Sequence, residues 1–399
     1  MSNEATAILN DLILEVTPTM HKIRRKSLHA SVSSLLHGAR LTVTSLGRNI
    51  CSSTTEKHQI KRSNRLVGNI HLMSEVSEIY KNLCMKIIKN IKRPVVLVDW
   101  SDLDTCQKHF LIRASVSVDG RSLTLLEEVH PLNTKEKPSV HERFLERLKA
   151  ILPKDCVPII VTDAGFRGPW FKLVKSLGWD FVGRVRNRTF CKTLQENEWY
   201  PIKDLYLKST LKAKNLGTYE LCRRNSIECQ MIVYRKKIQG RKDLTAKGHR
   251  ARSNSHSQAH GISQREPWLL ATSIAETSRV FATKIVSIYA QRMQIEESFR
   301  DVKSGLGLNQ SNTKNKGRLE ILLMIAHLAQ FVLFLIGIAV SKSGKQLRYQ
   351  ASSITKKRVL SFQFVGLRAV KDKQLRLCKK DLITSFHLLT EIMNKNGKI

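Results

Sequence analysis

The sequence predicts an α/β protein with a mixed sheet covered by helices on both faces, and three observations carry that reading. Two apolar runs that each end in an acid, PVVLVD at 94–99 and VPIIVTD at 157–163, have the length and composition of buried strands. Between them lie two further β-rich runs and an amphipathic helical pattern. From residue 281 a long helical pattern begins, with apolar residues at the three-to-four spacing of a packed face. At 399 residues the chain exceeds the size at which one core keeps growing, so two or three domains are expected.

Residues 1–90 hold no strand pattern and several helical ones, including 23–36 and 72–88. Between these, residues 42–69 read as two short helices joined by a turn, the second carrying Lys57, His58, Lys61, Arg62 and Arg65. A helix-turn-helix sets such a basic helix on DNA, although a basic helix on an ordinary bundle would carry the same residues. From residue 94 the character changes. PVVLVDWSD, HFLIRASVSV and SLTLLEEVHP read as strands, with DGR as a hairpin turn between the last two. SVHERFLERLKAIL is an amphipathic helix, VPIIVTDAGF a second buried strand, 170–177 a helix and FVGRVR a strand. Three antiparallel strands, a helix, a parallel strand, a helix and a last strand make a mixed five-stranded sheet.

Residues 191–274 break that order. They are polar with scattered short strands, of which CQMIVYRKK is the clearest, and they include a basic stretch without periodicity at 236–264, read as a mobile loop. EPWLLATS then reads as a strand before the long helix. The stretch is expected to be a β-rich insertion between the last sheet strand and that helix. Residues 341–399 are basic and helical, with no catalytic signal. The expected regions are therefore 1–90, 91–190, 191–274, 275–340 and 341–399.

Charge is the strongest bulk signal. Against 33 Asp plus Glu stand 68 Lys plus Arg, a net +35 spread along the whole chain, which points to nucleic acid as the partner before a membrane surface or an acidic protein. Eight scattered cysteines form no CxxC pair and no zinc-type cluster, as reduced thiols of a cytoplasmic protein would. The opening residues, MSNEATAILNDLILEV, carry acids where a signal peptide needs basic residues, so export is not expected. Residues 321–340 are long and apolar enough to span a bilayer. They contain His327 and Gln330 one turn apart and stand alone in a charged chain, so they read as a helix buried in the core, with no membrane partner.

The long pattern at 281–305, FATKIVSIYAQRMQIEESFRDVKSG, reads as one helix closed by a glycine. At about 100° per residue, Tyr289, Arg292, Glu296 and Lys303 share one stripe, while Ile285, Ile288, Ile295, Phe299 and Val302 form another. A carboxylate flanked by a phenol, a guanidinium and an ammonium suits holding a cation while its neighbours hold phosphates; a solvated charged face would explain the same residues. Asp99 and Asp163 end buried strands at a sheet rim, where an acid can hold a hard cation without being buried unpaired. Three such carboxylates, Asp99, Asp163 and Glu296, match a site for two Mg²⁺ ions, or Mn²⁺ in their place, of the kind used in phosphodiester chemistry. Nearby Asp102 and Asp104 lie beyond the strand end, and Glu297 is rotated off the Tyr/Arg/Lys face.

Asp99 in VLVDWSD, Asp163 in IVTDAGF and the spacing Tyr289-x2-Arg292-x3-Glu296-x6-Lys303 together resemble the DDE transposases of the insertion-sequence-four family, most closely those of the transposon Ten type. The likeness runs to about residue 340. It implies an RNase H-like catalytic core, interrupted by a β-rich insertion before the glutamate helix, and an N-terminal domain that recognises terminal inverted repeats. By the same resemblance Asp99, Asp163 and Glu296 bind the metals, and Tyr289, Arg292 and Lys303 hold DNA near the cleaved end. Trp268, in EPWLLAT, matches a tryptophan that supports a flipped base in that family and so permits a hairpin intermediate; a core tryptophan would look the same. The expected partners are double-stranded DNA, both element ends and target, and further copies of the chain in a synaptic complex of a bacterial nucleoid. A nuclease without strand transfer and an inactive DNA-binding regulator are the other readings.

Overall fold

The computed structural model describes residues 3–104, 106–186, 189–237, 266–354 and 357–397. The chain divides into two compact units, Met1–Pro158 with Gln291–Lys398, and Ile159–Ala290.

The first unit begins with five helices: α1 (Asn3–Val16), α2 (Lys22–Leu36), α3 (Val43–Arg48), α4 (Glu56–Val67) and α5 (Ile70–Ile88). Short polar side chains start two of them. Thr42 Oγ1 accepts from the Ser45 N–H ahead of α3, and Asn69 Oδ1 accepts from the Leu72 N–H ahead of α5. A Cβ at Gly47 would lie 2.5 Å from the Ile60 Cα, so only glycine lets α3 and α4 cross this closely. Three strands follow, β1 (Val95–Asp102), β2 (His109–Val118) and β3 (Arg121–Pro131), antiparallel in the order β3-β2-β1. Asp119 (φ 32°) and Gly120 (φ 88°) both take positive φ in the β2–β3 turn, as the DG pair predicts. Helix α6 (Pro138–Ile151) starts with proline in its first turn and buries Val140, Phe144, Leu148 and Ile151 along one face.

The second unit contains β4 (Ile159–Thr162), α7 (Gly168–Ser176), β5 (Asp180–Arg184), β6 (Phe190–Thr193), β7 (Tyr200–Pro201), β8 (Lys214–Leu221), β9 (Ile227–Tyr234), β10 (Trp268–Thr272) and α8 (Phe281–Ala290). Its strands run in the order β4-β5-β10-β9-β8-β6-β7, with β4 and β5 parallel and every other pair antiparallel. The region after residue 190 is thus β-rich as expected, but it is not set apart from the sheet: β10 bonds directly to β5, Ala271 opposite Gly183. Most of the expected basic loop, residues 238–265, lies outside the described residues.

The chain then returns to the first unit with α9 (Met293–Arg300), α10 (Lys316–Lys342), α11 (Phe362–Lys371) and α12 (Lys379–Asn396). The single helix expected over 281–305 is divided. A turn at Gln291–Arg292 separates α8 from α9, and Asp301–Gly305 forms a π turn closed by the Leu306 N–H on the Asp301 carbonyl at 2.7 Å. Such wide turns place side chains differently from a regular helix and are common at functional positions.

Helix α10 is buried on every side, which explains a sequence that is apolar all round. Its most apolar window has a mean hydropathy of 2.5 and is wholly buried within this unit, against α11, α12, α2, α5 and β3. Gln330 donates to Gln363 Oε1 at 3.0 Å, and His327 lies against the Tyr80 ring, centroids 5.2 Å apart. A Cβ at Gly337 would meet the Phe362 carbonyl oxygen at 1.9 Å, and one at Gly366 the Leu333 carbonyl oxygen at 2.0 Å, so these two glycines let α10 and α11 touch backbone to backbone.

Candidate active site

The site begins at Asp99, the first polar residue of β1 after Val95, Val96, Leu97 and Val98, all buried. Its Oδ1 accepts the Trp100 N–H at 2.8 Å, and its Oδ2 lies 3.3 Å from Arg292 Nη1. The same Nη1 sits 2.7 Å from Glu296 Oε1. One guanidinium nitrogen therefore lies between two carboxylates. Asp99 and Arg292 have side chains 14% exposed, and Glu296 is open at 41%.

Three polar residues on α9 and its following turn fix that arrangement. Gln294 Oε1 accepts from Ser117 Oγ and the Val118 N–H, both at 3.0 Å. Ser298 Oγ accepts the Ser122 N–H and donates to the Ser122 carbonyl, both at 2.9 Å. Asp301 accepts from Arg121 Nε at 2.7 Å. Spaced at i, i+4 and i+7, they pin one helix face to the β2–β3 hairpin, while Ile295, Phe299 and Val302 are buried as the periodicity predicts. A helix held on that face cannot rotate, and Arg292 and Glu296 are aimed by it.

Lys303 lies in the π turn. Its Nζ donates to Ser101 Oγ and to the Asp102 carbonyl, each at 3.0 Å, so it reaches the end of the strand that carries Asp99. Burial holds its pKa below the usual lysine value, against the opposing pull of Asp102. The neighbouring acids serve other ends. Glu297 pairs with Arg300 at 2.5 Å and with Arg121 at 3.4 Å, and Asp104 accepts the N–H groups of Lys108 and His109 in a turn.

Beneath this row lies a buried polar group that sequence reasoning missed. Asp99 stands opposite Arg113 on β2, and Arg113 opposite Glu127 on β3. Arg113 binds Glu127 Oε2 through Nε at 2.8 Å and Nη2 at 2.6 Å, and Tyr80 donates to Glu127 Oε1 at 2.6 Å. The Arg113 guanidinium also lies over the Phe299 ring of α9, 4.8 Å from its centre.

In the second unit Asp163 directly follows β4, and its Oδ1 accepts the Gly165 N–H at 2.8 Å. Trp268, partly exposed at the start of β10, meets the Tyr289 ring edge to face at 4.9 Å and the Tyr234 ring at 5.9 Å. Tyr289 itself is only 4% exposed. The structure thus gathers Asp99, Arg292, Glu296 and Lys303 within the first unit, and joins Trp268 to Tyr289 within the second. On α4, Lys57, Lys61 and Arg65 form an exposed stripe one turn apart, whereas Arg62 donates to Ser27 Oγ and the Lys26 carbonyl and so ties α4 to α2.

Among the described residues no group of three or more His, Cys, Asp or Glu has metal-holding geometry. Asp99 and Glu296 nonetheless fit a divalent cation by donor type, since both are hard oxygen donors and already share one cationic nitrogen.

Residues 90–332 match the family model described as "Transposase DDE domain". That match covers more than half of the chain, and the chain belongs to this family: it is a DDE transposase, an enzyme of transposition and DNA recombination that acts on DNA. Enzymes of this family generally use divalent metal ions. No curated protein matches the sequence.

Proposed function

We propose that this chain carries out cut-and-paste transposition of an insertion sequence of the insertion-sequence-four type, closest to the transposon Ten enzymes. It cleaves DNA at the element's terminal inverted repeats, by way of a hairpin, and transfers the freed 3′-hydroxyl into target DNA. The observation that carries the reading is the Arg292 nitrogen held between Asp99 and Glu296 beside the end of β1. Two like charges so close to each other need a cation between them.

On this reading Asp99, Asp163 and Glu296 would hold two Mg²⁺, or Mn²⁺, in an RNase H-like core. When bound, such ions supply an activated oxygen nucleophile and stabilise the leaving oxygen. Arg292, held between Asp99 and Glu296, would be placed to grip a DNA phosphate as a two-pronged donor. Lys303, poorly solvated at the end of β1, offers a second cation to the same backbone. Tyr289 and Trp268 receive the end of the cleaved strand, Trp268 by stacking on a flipped base. In the N-terminal region, residues 1–90, Lys57, Lys61 and Arg65 contact the inverted repeat, with Arg62 as the fourth cation of that helix. Residues 191–274 form the β-rich insertion, 91–190 and 275–340 the core, and 341–399 a helical C-terminal region. The working form is a dimer or larger synaptic assembly.

The test is direct. Purified protein is incubated with a DNA fragment ending in candidate inverted repeats, with and without Mg²⁺, and nicks, hairpins, double-strand breaks and joined products are resolved on gels. Cleavage without joining to target would leave a nuclease, and Mg²⁺-independent binding without cleavage would leave a regulator.

A further inference from the structure

The second unit contains a cleft of about 890 Å³ that none of the residue roles assigned so far involves. Its rim carries the exposed side chains of Arg167, Lys203, Arg223 and Arg224, and its floor carries Arg184. Among the described residues no acid lines it. Among the described residues none of these five cations pairs with a carboxylate, whereas Arg186, which also lines the cleft, is paired with Glu266 at 2.5 Å.

Two features show a site built for a ligand rather than a solvated patch. Among the described residues the buried Nε and Nη2 atoms of Arg184 have no hydrogen-bond partner, a costly condition for a guanidinium that lines the cleft. Burial also pulls the Arg184 pKa below its usual value, ahead of the charges around it. On the rim, Arg223 lies flat on the Phe190 ring, 3.7 Å from its centre. A guanidinium held by its face keeps its N–H edge for an oxyanion. The wall between them includes Gly168, the first residue of α7. Ala164 also lines the cleft, so it opens one residue from Asp163.

We propose that this cleft binds a short unpaired stretch of DNA strand, its phosphates on the rim cations and reaching Arg184. The cation-rich rim demands a polyanion, and the volume falls within the roughly 300–1,000 Å³ of pockets that enclose small ligands, which excludes a double helix. Aromatic side chains beside cations are the usual means of holding single strands. The inference rests on the reading of the chain as an enzyme of DNA ends, and adds to it a place for strand that has left the duplex.

The experiment uses the full chain and a fluorescent short oligothymidylate in the presence of a chelator, with anisotropy followed over a salt series. Arg223→Glu with Arg224→Glu should weaken binding at least tenfold and lower the salt slope by about 0.7 for each phosphate that is no longer neutralised. Arg184→Gln should do the same, and thermal melts of the exposed-rim variant should match the parent. Unchanged affinity and slope in both variants overturns the proposal, as does a blunt duplex that competes as well as single strand for the variant-sensitive binding. Because no metal or cleavage is needed, loss of binding in the variants supports the cleft even in a protein that cuts no DNA. Conversely, Mg²⁺-dependent cleavage by a parent whose variants bind normally defeats the cleft alone.

Discussion

Replacing Glu127 by Leu tests whether the polar group under Asp99 is a single unit. Arg113 is 1% exposed and Glu127 2%, so both charges are out of water and depend on each other. Among the described residues Arg113 Nη1 already lacks a partner, and Glu127→Leu would leave Nε and Nη2 without one as well, along with the Tyr80 hydroxyl. Breaking a buried pair from one side costs roughly 3–5 kcal/mol, because an uncompensated charge stays behind. For a unit of this size each kcal/mol moves the melting temperature by about 2–4 °C, so a fall of about 6–20 °C is expected. Replacing both partners, Arg113→Met with Glu127→Leu, removes the stranded charge and should recover most of that loss. Urea titrations and thermal melts by circular dichroism of the two singles and the double complete the cycle. A Glu127→Leu loss below about 1 kcal/mol, or a double no more stable than the single, would refute the reasoning.

Ala at Asp99, Asp163 or Glu296 should abolish Mg²⁺-dependent cleavage with DNA binding and melting temperature near those of the parent, while Glu297→Ala, which breaks pairs with Arg121 and Arg300, should retain most cleavage. Charge removal at Lys57, Lys61 and Arg65 should weaken binding to an end fragment and lower the salt slope by about 0.9 for each phosphate released, more than removal of charges at 371–380 does. Trp268→Ala should spare the first nick and slow hairpin formation selectively; equal slowing of every step with a much lower melting temperature would reject stacking, worth ~1–3 kcal/mol, in favour of a packing role. Acid should destabilise the fold through His327. Burial, reinforced by the Arg113 cation, lowers the pKa of His327 to about 3, so the unfolded chain binds more protons than the folded one between that value and about 6.5. The stability it contributes is complete above pH 6.5 and is lost as pH falls toward 3, and His327→Gln should flatten that part of a stability-versus-pH curve measured by urea titration.

What could be read from the sequence was periodic or strand-like. Ile295, Phe299 and Val302 repeat at helical spacing and are buried; the apolar runs before Asp99 and Asp163 form β1 and β4, but β1 continues past Asp99 to Asp102, so Asp99 does not end its strand and Asp102 does not lie beyond it, because pairing with β2 carries on through Trp100 to Asp102. The all-apolar helix was read as core from two polar residues, and it is core, Gln330 finding its partner Gln363 thirty-three residues on. Charge was legible as a total but not as a direction. Lys57, Lys61, Arg62 and Arg65 look equivalent in the sequence, yet Arg62 alone turns inward, because the donors on its face meet a carbonyl and a hydroxyl of α2. The division of the 281–305 helix had no signal either, since neither glycine nor proline marks Gln291–Arg292.

Cross-strand register explains the largest omission. Asp99, Arg113 and Glu127 are fourteen residues apart in each step, a separation with no meaning in one dimension, yet hydrogen-bonded strands set them side by side. Side chains at paired positions project from the same face of a sheet. A carboxylate, a guanidinium and a second carboxylate thus alternate across three strands, so the buried cation is neutralised by Glu127 while Arg292 serves Asp99 from the helix above. Glu127 binds Arg113 through both Nε and Nη2, from the strand on the far side of β2 from Asp99. The buried pair keeps the strand's own arginine occupied, and that leaves the outer edge of Asp99 to α9.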